Sequence, residues 1–311
     1  MSKILVTGGA GFIGSHTVEL LVKQGHSVVV ADNLRTGRRE NLASIPAEGR
    51  LEFLEIDVAD PQALNELVKA TEPDVVIHLA ALVNVQESIA DSELNFRLNV
   101  KAVHSLAETV RRHGVSRVVF ASSAAIYGNG GQLPLQETRA PAPISPYGAA
   151  KAAGEALLFG HAAAFGFSAV CLRYFNVLGP RQRPDSPYSG VVSIFAECSR
   201  LNRAPVIFGD GRQTRDFVHV RDIARANLLA ATQPLRHSGS FNICSGRETS
   251  LLEIIALLKQ AQPDLPAPEF RPERVGDIRR SLGDPAQAKT MLGFEAQVDL
   301  AESLVELTEK V

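Results

Sequence analysis

The sequence predicts an α/β chain, a doubly wound parallel sheet joined to a smaller mixed α/β lobe. Three observations predict it. Near-continuous apolar runs alternate with helical stretches, a glycine-rich turn links the first run to the first helix, and the alternation stops after residue 176. The apolar runs are "KILVTG" (3–8), "SVVVAD" (27–32), "LEFLEID" (51–57), "VVIHLAA" (75–81), "RVVFASS" (117–123) and "AVCLRYF" (169–175). Runs of this kind suit strands buried on both faces. Helical stretches fall at 12–24, 61–70, around 93–113 and 146–165. Strand, crossover and strand in repetition make a parallel sheet. Pro180, Pro184 and Pro187 in "GPRQRPDSPYSG" mark the loop where the chain leaves the first lobe. Beyond it, Ser250 and Glu253 form a capping box ahead of "LLEIIALLKQ". The expected division is 1–176, with a return to the sheet around 216–243, and a second lobe over 177–311.

Composition narrows the function classes. A net charge of −2 gives no reason to expect nucleic acid or a charged membrane surface as partner. No apolar run reaches membrane-spanning length, and the opening "MSKILVTGG" carries no leader pattern, so a cytoplasmic chain is expected. Cys171, Cys198 and Cys244 are odd in number and set in apolar contexts, which predicts reduced thiols and no metal site.

"VTGGAGFIG" closes the first strand and opens the first helix, with Gly8, Gly11 and Gly14 spaced three apart. Glycine here permits a tight turn, close approach of backbone N–H groups to a pyrophosphate, and close helix–strand packing. The helix N-terminus adds its partial positive charge. Asp32 ends the second strand 18 residues beyond Gly14, where a carboxylate accepts from the adenosine ribose hydroxyls and repels a 2′-phosphate. The sheet is therefore of Rossmann type, and NAD is favoured over NADP, although Arg35 lies close by. Asp57 and Val58 end the third strand beside the adenine position; Asp57 also reads as a helix cap ahead of Pro61.

The chemical centre is expected in "SPYGAAKAAGEALL" (145–158). Tyr147 and Lys151 stand four residues apart in a helix otherwise rich in alanine, so their side chains share a face. A phenol titrates near ~10 and is a poor base at neutral pH. A nearby ammonium and a bound nicotinamide would both favour the phenolate. Tyr147 could then take a hydroxyl proton as hydride leaves the same carbon. Lys151 could also bond the nicotinamide ribose. Ser123 ends the fifth strand in "ASSAAIYG", at the edge where such sheets bind ligands. His78 reads as a packing residue.

Together "VTGGAGFIGSH", "ADNLRTGRRENL", "HLAA", "SSAAIYG", "SPYGAAK", "LRYFNVLGPRQ", "IFGDGRQTRDFVHVRDIA" and "RVGDIRRSLGD" resemble the extended short-chain dehydrogenase/reductase family, and within it the nucleotide-sugar 4-epimerases. The resemblance spans essentially the whole chain. It implies a cofactor set that adds Phe12, Ile13, Asn33, Leu79, Ala80, Ala81 and Asn99 to the residues above. It also implies a UDP-sugar site in the second lobe: Asn176 at the diphosphate, Val191, Val206 and Phe208 framing uridine, Arg215 and Arg274 on the pyrophosphate, and Asp277 on the uridine ribose. Ser281 would face the C2 substituent, where relatives with tyrosine have no room for an acetamido group. Related dehydratases carry an Asp–Glu pair, and related decarboxylases a glutamate, where this chain has Ala124 and Ala125. Two alanines can neither eliminate water nor decarboxylate, which favours C4 epimerisation through a transient 4-keto sugar. Epimerisation of a uronate, net 4-reduction and a non-catalytic NAD-binding protein are the alternatives. Lys101, Ala102 and Ser193 depart from the family's pattern. A homodimer is expected, with the helices around 93–113 and 146–165 paired across a two-fold axis.

Overall fold

The computed structural model describes residues 1–46, 49–129, 131–182, 190–234, 238–273 and 278–309. Strand β1 (Lys3–Thr7) feeds helix α1 (Phe12–Lys23), which leads to β2 (Ser27–Asp32). The short α2 (Glu40–Ala43) precedes β3 (Leu51–Glu55), and α3 (Pro61–Thr71) leads to β4 (Val75–His78). Then follow α4 (Val85–Ala90), α5 (Ser92–Phe96), a π-helical turn (Arg97–Lys101) and α6 (Ala102–His113). Strand β5 (Arg117–Ser123), helix α7 (Pro146–Phe165) and β6 (Ser168–Tyr174) complete the first half. The second half opens with β7 (Asn176–Leu178), α8 (Val191–Arg200), β8 (Val206–Phe208), β9 (Thr214–Arg215) and β10 (Phe217–His219). It continues with α9 (Val220–Thr232), β11 (Gly239–Ile243), β12 (Thr249–Ser250), α10 (Leu251–Ala261), β13 (Glu269–Arg271) and α11 (Leu300–Thr308).

Seven strands form one sheet in the order β11-β6-β5-β4-β1-β2-β3, and every pair in it is parallel. One face is covered by α1 and α9 through Val18, Leu21, Ile223 and Ala230. The other lies under α3, α6 and α7 through Leu64, Leu67, Leu106 and Leu158. Each of the valine, leucine and isoleucine side chains contributes ~1.5–3 kcal/mol on burial. The strand order reverses between β1 and β4, so the loops after their carboxyl ends part and leave a crevice, the usual ligand position in such sheets.

The six expected strands all form, several ending a few residues early. Strand β11 lies within the expected return around 216–243, although Ser240 and Asn242 point polar groups into the protein and break the apolar run. The long helix around 93–113 is divided by the π-helical turn at Asn99. There the Asn99 amide donates to the Leu82 carbonyl (2.8 Å) and accepts from the Leu82 N–H (2.9 Å). The cap ahead of Pro61 is Asp60, which accepts from the N–H groups of Gln62 and Ala63, whereas Asp57 closes a turn onto the Ala59 N–H. The capping box of Ser250 and Glu253 forms at the start of α10. The second lobe packs its own core around Leu178, Phe195, Ile207, Ile254 and Leu304. No described helix is long and apolar enough to cross a membrane.

His78 ends β4 fully enclosed, its Nδ1 2.8 Å from the Thr7 hydroxyl and its ring stacked on Phe120. Burial first, and then the Lys151 charge, push its pKa down to about 3. The unfolded chain therefore binds more protons than the folded one as pH falls below about 6.5. The stability this histidine contributes is complete above that value and is lost as pH drops toward 3. Urea unfolding measured across this interval should give a falling free energy, and the His78→Gln chain should lose less of it than the wild type.

Candidate active site

A single cleft of about 1030 Å³ opens along the carboxyl edge of the sheet at the β1/β4 reversal. Gly8, Gly11, Phe12, Ile13 and Gly14 form its floor, and Asp32, Asn33, Asp57 and Val58 one end. Leu79, Ala80 and Ala81 form a wall. The three glycines are needed for different reasons. Gly8 has φ +71°, and a Cβ on it would stand 2.7 Å from the Ala80 nitrogen. A Cβ on Gly14 would collide with the Gly8 carbonyl and sit 2.6 Å from Gly9 Cα. Gly11 caps α1 with extended backbone, and its Cβ would meet only the Gly8 oxygen, at 3.2 Å. Protein packing thus explains Gly8 and Gly14, whereas Gly11 leaves a cradle at a helix N-terminus that suits a pyrophosphate.

Asp32 is held from behind by the N–H groups of Ala10 (3.0 Å) and Leu34 (2.9 Å). Burial pushes its carboxyl above the usual range, and those two bonds pull it back. Gly37 makes room for it, since a Cβ there would lie 2.9 Å from Asp32 Oδ2. The remaining lone pairs fit the two hydroxyls of an adenosine ribose. Arg35 also lines the cleft, but its guanidinium pairs with Glu87 of α4. These features fit NAD: a cradle for its pyrophosphate and an acceptor for its ribose.

Ser123, Tyr147 and Lys151 meet at the centre of the same cleft. Ser123 is placed by the end of β5, and its Oγ accepts from the Ala125 N–H (3.1 Å). Tyr147 sits in the first turn of α7, whose cap Ser145 accepts from the Gly148 N–H. Gly148 lets that turn approach β5, because a Cβ there would be 2.6 Å from the Ala125 carbonyl. The turn brings the Tyr147 phenol into the same part of the cleft as the Ser123 hydroxyl, whose pull favours the phenolate. The Lys151 ammonium donates to the Ala121 carbonyl (2.7 Å) and lies 4.9 Å from the Phe120 ring centroid and 5.8 Å from that of Tyr147. Burial brings Lys151 down to about 8. The expected lowering of the phenol by Lys151 is not what the protein alone provides. Burial dominates and raises Tyr147, with the Ser123 hydroxyl opposing it. Tyr174, fixed by a 2.6 Å bond from its hydroxyl to Asn227, and Phe175 complete this wall.

The other expected residues distribute unevenly. Asn176 lines the cleft, but Asn99 does not: its amide is spent on Leu82 and Asn95. Val191, Val206, Phe208, Arg215 and Ser281 lie in the second lobe, outside the lining of this cleft. Val206 and Phe208 flank β8, which pairs with β13. Ser281 is buried and its N–H donates to the Thr214 carbonyl (3.2 Å), beside Arg215. Arg274 and Asp277 lie outside the described residues. Residues the motif reading passed over include Arg181 and Gln182, both at the cleft. One Arg181 nitrogen bonds Glu19 (2.7 Å), and another is buried with no acceptor among the described residues. Gln182 accepts from Ser193, so this departure from the family's pattern braces the cleft wall. Both stand within "LRYFNVLGPRQ", a motif that marks the block without singling out these two positions. No metal-binding group of His, Cys, Asp or Glu occurs among the described residues.

A doubly wound sheet with a nucleotide cradle at its reversal and a Ser–Tyr–Lys centre defines a dinucleotide-dependent enzyme. Residues 4–244 match the model of the NAD dependent epimerase/dehydratase family, and the chain belongs to that family. It is 39% identical over 308 residues to the UDP-glucose 4-epimerase of Mycolicibacterium smegmatis, covering 99% of this chain and 97% of the relative. The crystal structure of UDP-glucose 4-epimerase with UDP-glucose from Thermotoga maritima superposes with a TM-score of 0.93 at 39% identity, covering 98% of this chain and 97% of that one. The UDP-N-acetylglucosamine 4-epimerase of Methanobrevibacter ruminantium M1, in complex with UDP-N-acetylmuramic acid, gives 0.92 at 35% identity, covering 99% and 97%.

The glycine geometry separates two effects. Gly14→Ala should destabilise the fold, seen as a lower urea midpoint. Gly11→Ala should keep a midpoint near wild type and lose NAD during gel filtration. Equal loss of stability in both chains would contradict a ligand role for Gly11.

Proposed function

We propose that this protein is an NAD-dependent UDP-hexose 4-epimerase acting through a transient 4-keto sugar. The observation that carries the reading is the meeting of Ser123, Tyr147 and Lys151 in one cleft that also presents Gly11 and Asp32. Its support includes Ala124 and Ala125, which follow Ser123 and place no acid for elimination or decarboxylation. Gly8, Gly11, Phe12, Ile13 and Gly14 would hold the pyrophosphate, Asp32 and Asn33 the adenosine ribose, and Asp57 and Val58 the adenine edge. Leu79, Ala80 and Ala81 would wall the cofactor, with Asn99 acting through the Leu82 backbone. Bound NAD would supply the hydride acceptor and donor at this cleft.

Ser123 orients the sugar's C4 hydroxyl, and Tyr147 removes its proton. Tyr147 returns the proton after the keto sugar has turned its other face to the site. The buried Lys151 ammonium favours the phenolate form once a second positive group approaches. The second lobe would hold the nucleotide through Asn176, Val191, Val206, Phe208, Arg215, Arg274 and Asp277, so residues 1–176 with 216–243 serve the cofactor and the rest serves the sugar nucleotide. Ser281, where tyrosine would fill the C2 side of the sugar, leaves room for an acetamido group. UDP-GlcNAc and UDP-GalNAc are therefore substrates alongside UDP-glucose and UDP-galactose.

The chain would work as a homodimer. Helix α7 exposes Ala149, Ala156, Gly160 and Ala163, a face with no charge that a second copy's helix can approach closely. The reduced Cys171, Cys198 and Cys244 suit a cytoplasmic enzyme. A monomeric mass by light scattering would rule out the dimer.

Turnover of UDP-galactose by the purified protein without added cofactor tests the function. Tyr147→Phe should lower it by roughly 10²–10⁴-fold, the usual worth of a positioned acid–base group. NADH accumulating in step with product would identify a dehydrogenase instead. Ser281→Tyr should abolish activity on the N-acetylated pair and spare UDP-galactose; unchanged UDP-GlcNAc turnover would exclude Ser281 as the gate.

A further inference from the structure

On the protein side of the reacting residues lies a buried polar network that no step of this reaction uses. Its centre is an ion pair between Glu155 of α7 and Arg173 of β6, each side chain 5% exposed. Arg173 Nε donates to Glu155 Oε1 (3.0 Å) and Nη2 to Oε2 (2.7 Å), a bidentate fork. Each carboxylate oxygen accepts a second bond, Oε1 from Ser122 (2.5 Å) and Oε2 from Ser240 (3.1 Å). The remaining Arg173 nitrogen reaches the Tyr127 hydroxyl (2.9 Å) and the Glu137 carbonyl (3.1 Å). The Tyr127 hydroxyl in turn donates to Asn242 Oδ1 (2.6 Å).

A buried ion pair is a poor source of stability, since apolar residues of similar volume often serve as well. Its placement is informative. Ser122 immediately precedes Ser123 on β5, and Glu155 lies one helical turn beyond Lys151, so one carboxylate is tied to both reacting elements. We propose that Glu155, with Arg173 as counter-ion, is a positioning residue that fixes the Ser123 strand end through Ser122 and keeps the Lys151 ammonium charged. This deepens the epimerase reading and rests on it.

The surroundings of Lys151 leave Glu155 as its one nearby anion among the described residues. From β4 it faces His78, which is neutral, and from β6 Cys171, whose thiol burial keeps protonated. From its own helix it faces Tyr147 and Glu155. Strand β5 offers only the Ala121 carbonyl and the Phe120 ring. Burial draws Lys151 down to about 8, and the groups that oppose that fall are Cys171, which counts only as a thiolate, and Glu155. Removing the carboxylate shifts the lysine's proton loss to lower pH.

The test is Glu155→Gln, read in two ways. The pH profile of kcat should lose its alkaline side, roughly tenfold near pH 9, with KM held within about twofold. Independently of turnover, the Lys151 side-chain resonance in lysine-labelled holoenzyme should titrate at lower pH than in the wild type. A lone buried Arg173 can unfold this variant, so Glu155→Gln/Arg173→Met is made alongside it; it should fold and, because it removes a cation with the carboxylate, show a smaller displacement in the same direction. Unchanged Lys151 titration and an unchanged profile in a folded variant would reduce the pair to scaffolding and overturn the proposal. If the wild type epimerises nothing, the epimerase reading fails, and the Lys151 titration still decides the role of Glu155.

Discussion

The close seating of α7 on the end of β5 is the constraint on which the site depends. Two glycines permit it. A Cβ on Gly154 would stand 2.8 Å from the Phe120 ring, and one on Gly148 would press on the Ala125 carbonyl. With both absent, the helix comes near enough for Tyr147 to reach Ser123 and for Lys151 to reach the Ala121 carbonyl. The same approach buries Lys151 and leaves Tyr147 half-buried at the cleft. Short-range packing and the electrostatics of the reacting groups are therefore one feature. Protein packing alone raises the phenol, so a base at neutral pH must draw on positive groups beyond those the empty helix face supplies.

Sheet topology supplies the second requirement, a place for a long ligand. The reversal between β1 and β4 opens the crevice, and the loops on either side line it with different chemistry. The β1 turn offers backbone N–H groups and a helix N-terminus. The end of β2 offers a carboxylate already anchored by two backbone bonds, so that it needs little rearrangement to accept a ribose. The pairing of Arg35 with Glu87 weakens the draw of that guanidinium on a 2′-phosphate beside Asp32, in an end of the cleft that Arg38 also lines. Preorganisation of this kind reduces the ordering cost of binding.

The sheet was legible because strands buried on both faces read as apolar runs, and the glycine turn because its geometry demands particular residues. Asp32, Ser123, Tyr147 and Lys151 were legible because each stands at a strand end or a helix position with a fixed spacing to its neighbours. What escaped did so for physical reasons. The bounds of strand β11 hide behind Ser240 and Asn242, whose polar groups turn inward to the Glu155 network. Glu155 itself looks like any helical glutamate until β6 places Arg173 against it. Asn99 looks like a ligand-facing amide until the π-helical turn points it at Leu82. The second lobe is built on strands of two or three residues, too short to carry a period, so the positions of Val206, Phe208 and Arg215 rest on tertiary packing.

In the proposed reaction hydrogen leaves and returns to the same sugar carbon as hydride. The decisive measurement follows UDP-galactose deuterated at C4, incubated with the purified protein in ordinary water. The UDP-glucose formed should keep its deuterium at C4. Product with hydrogen from solvent at that carbon would mean proton abstraction from carbon and would rule out hydride transfer.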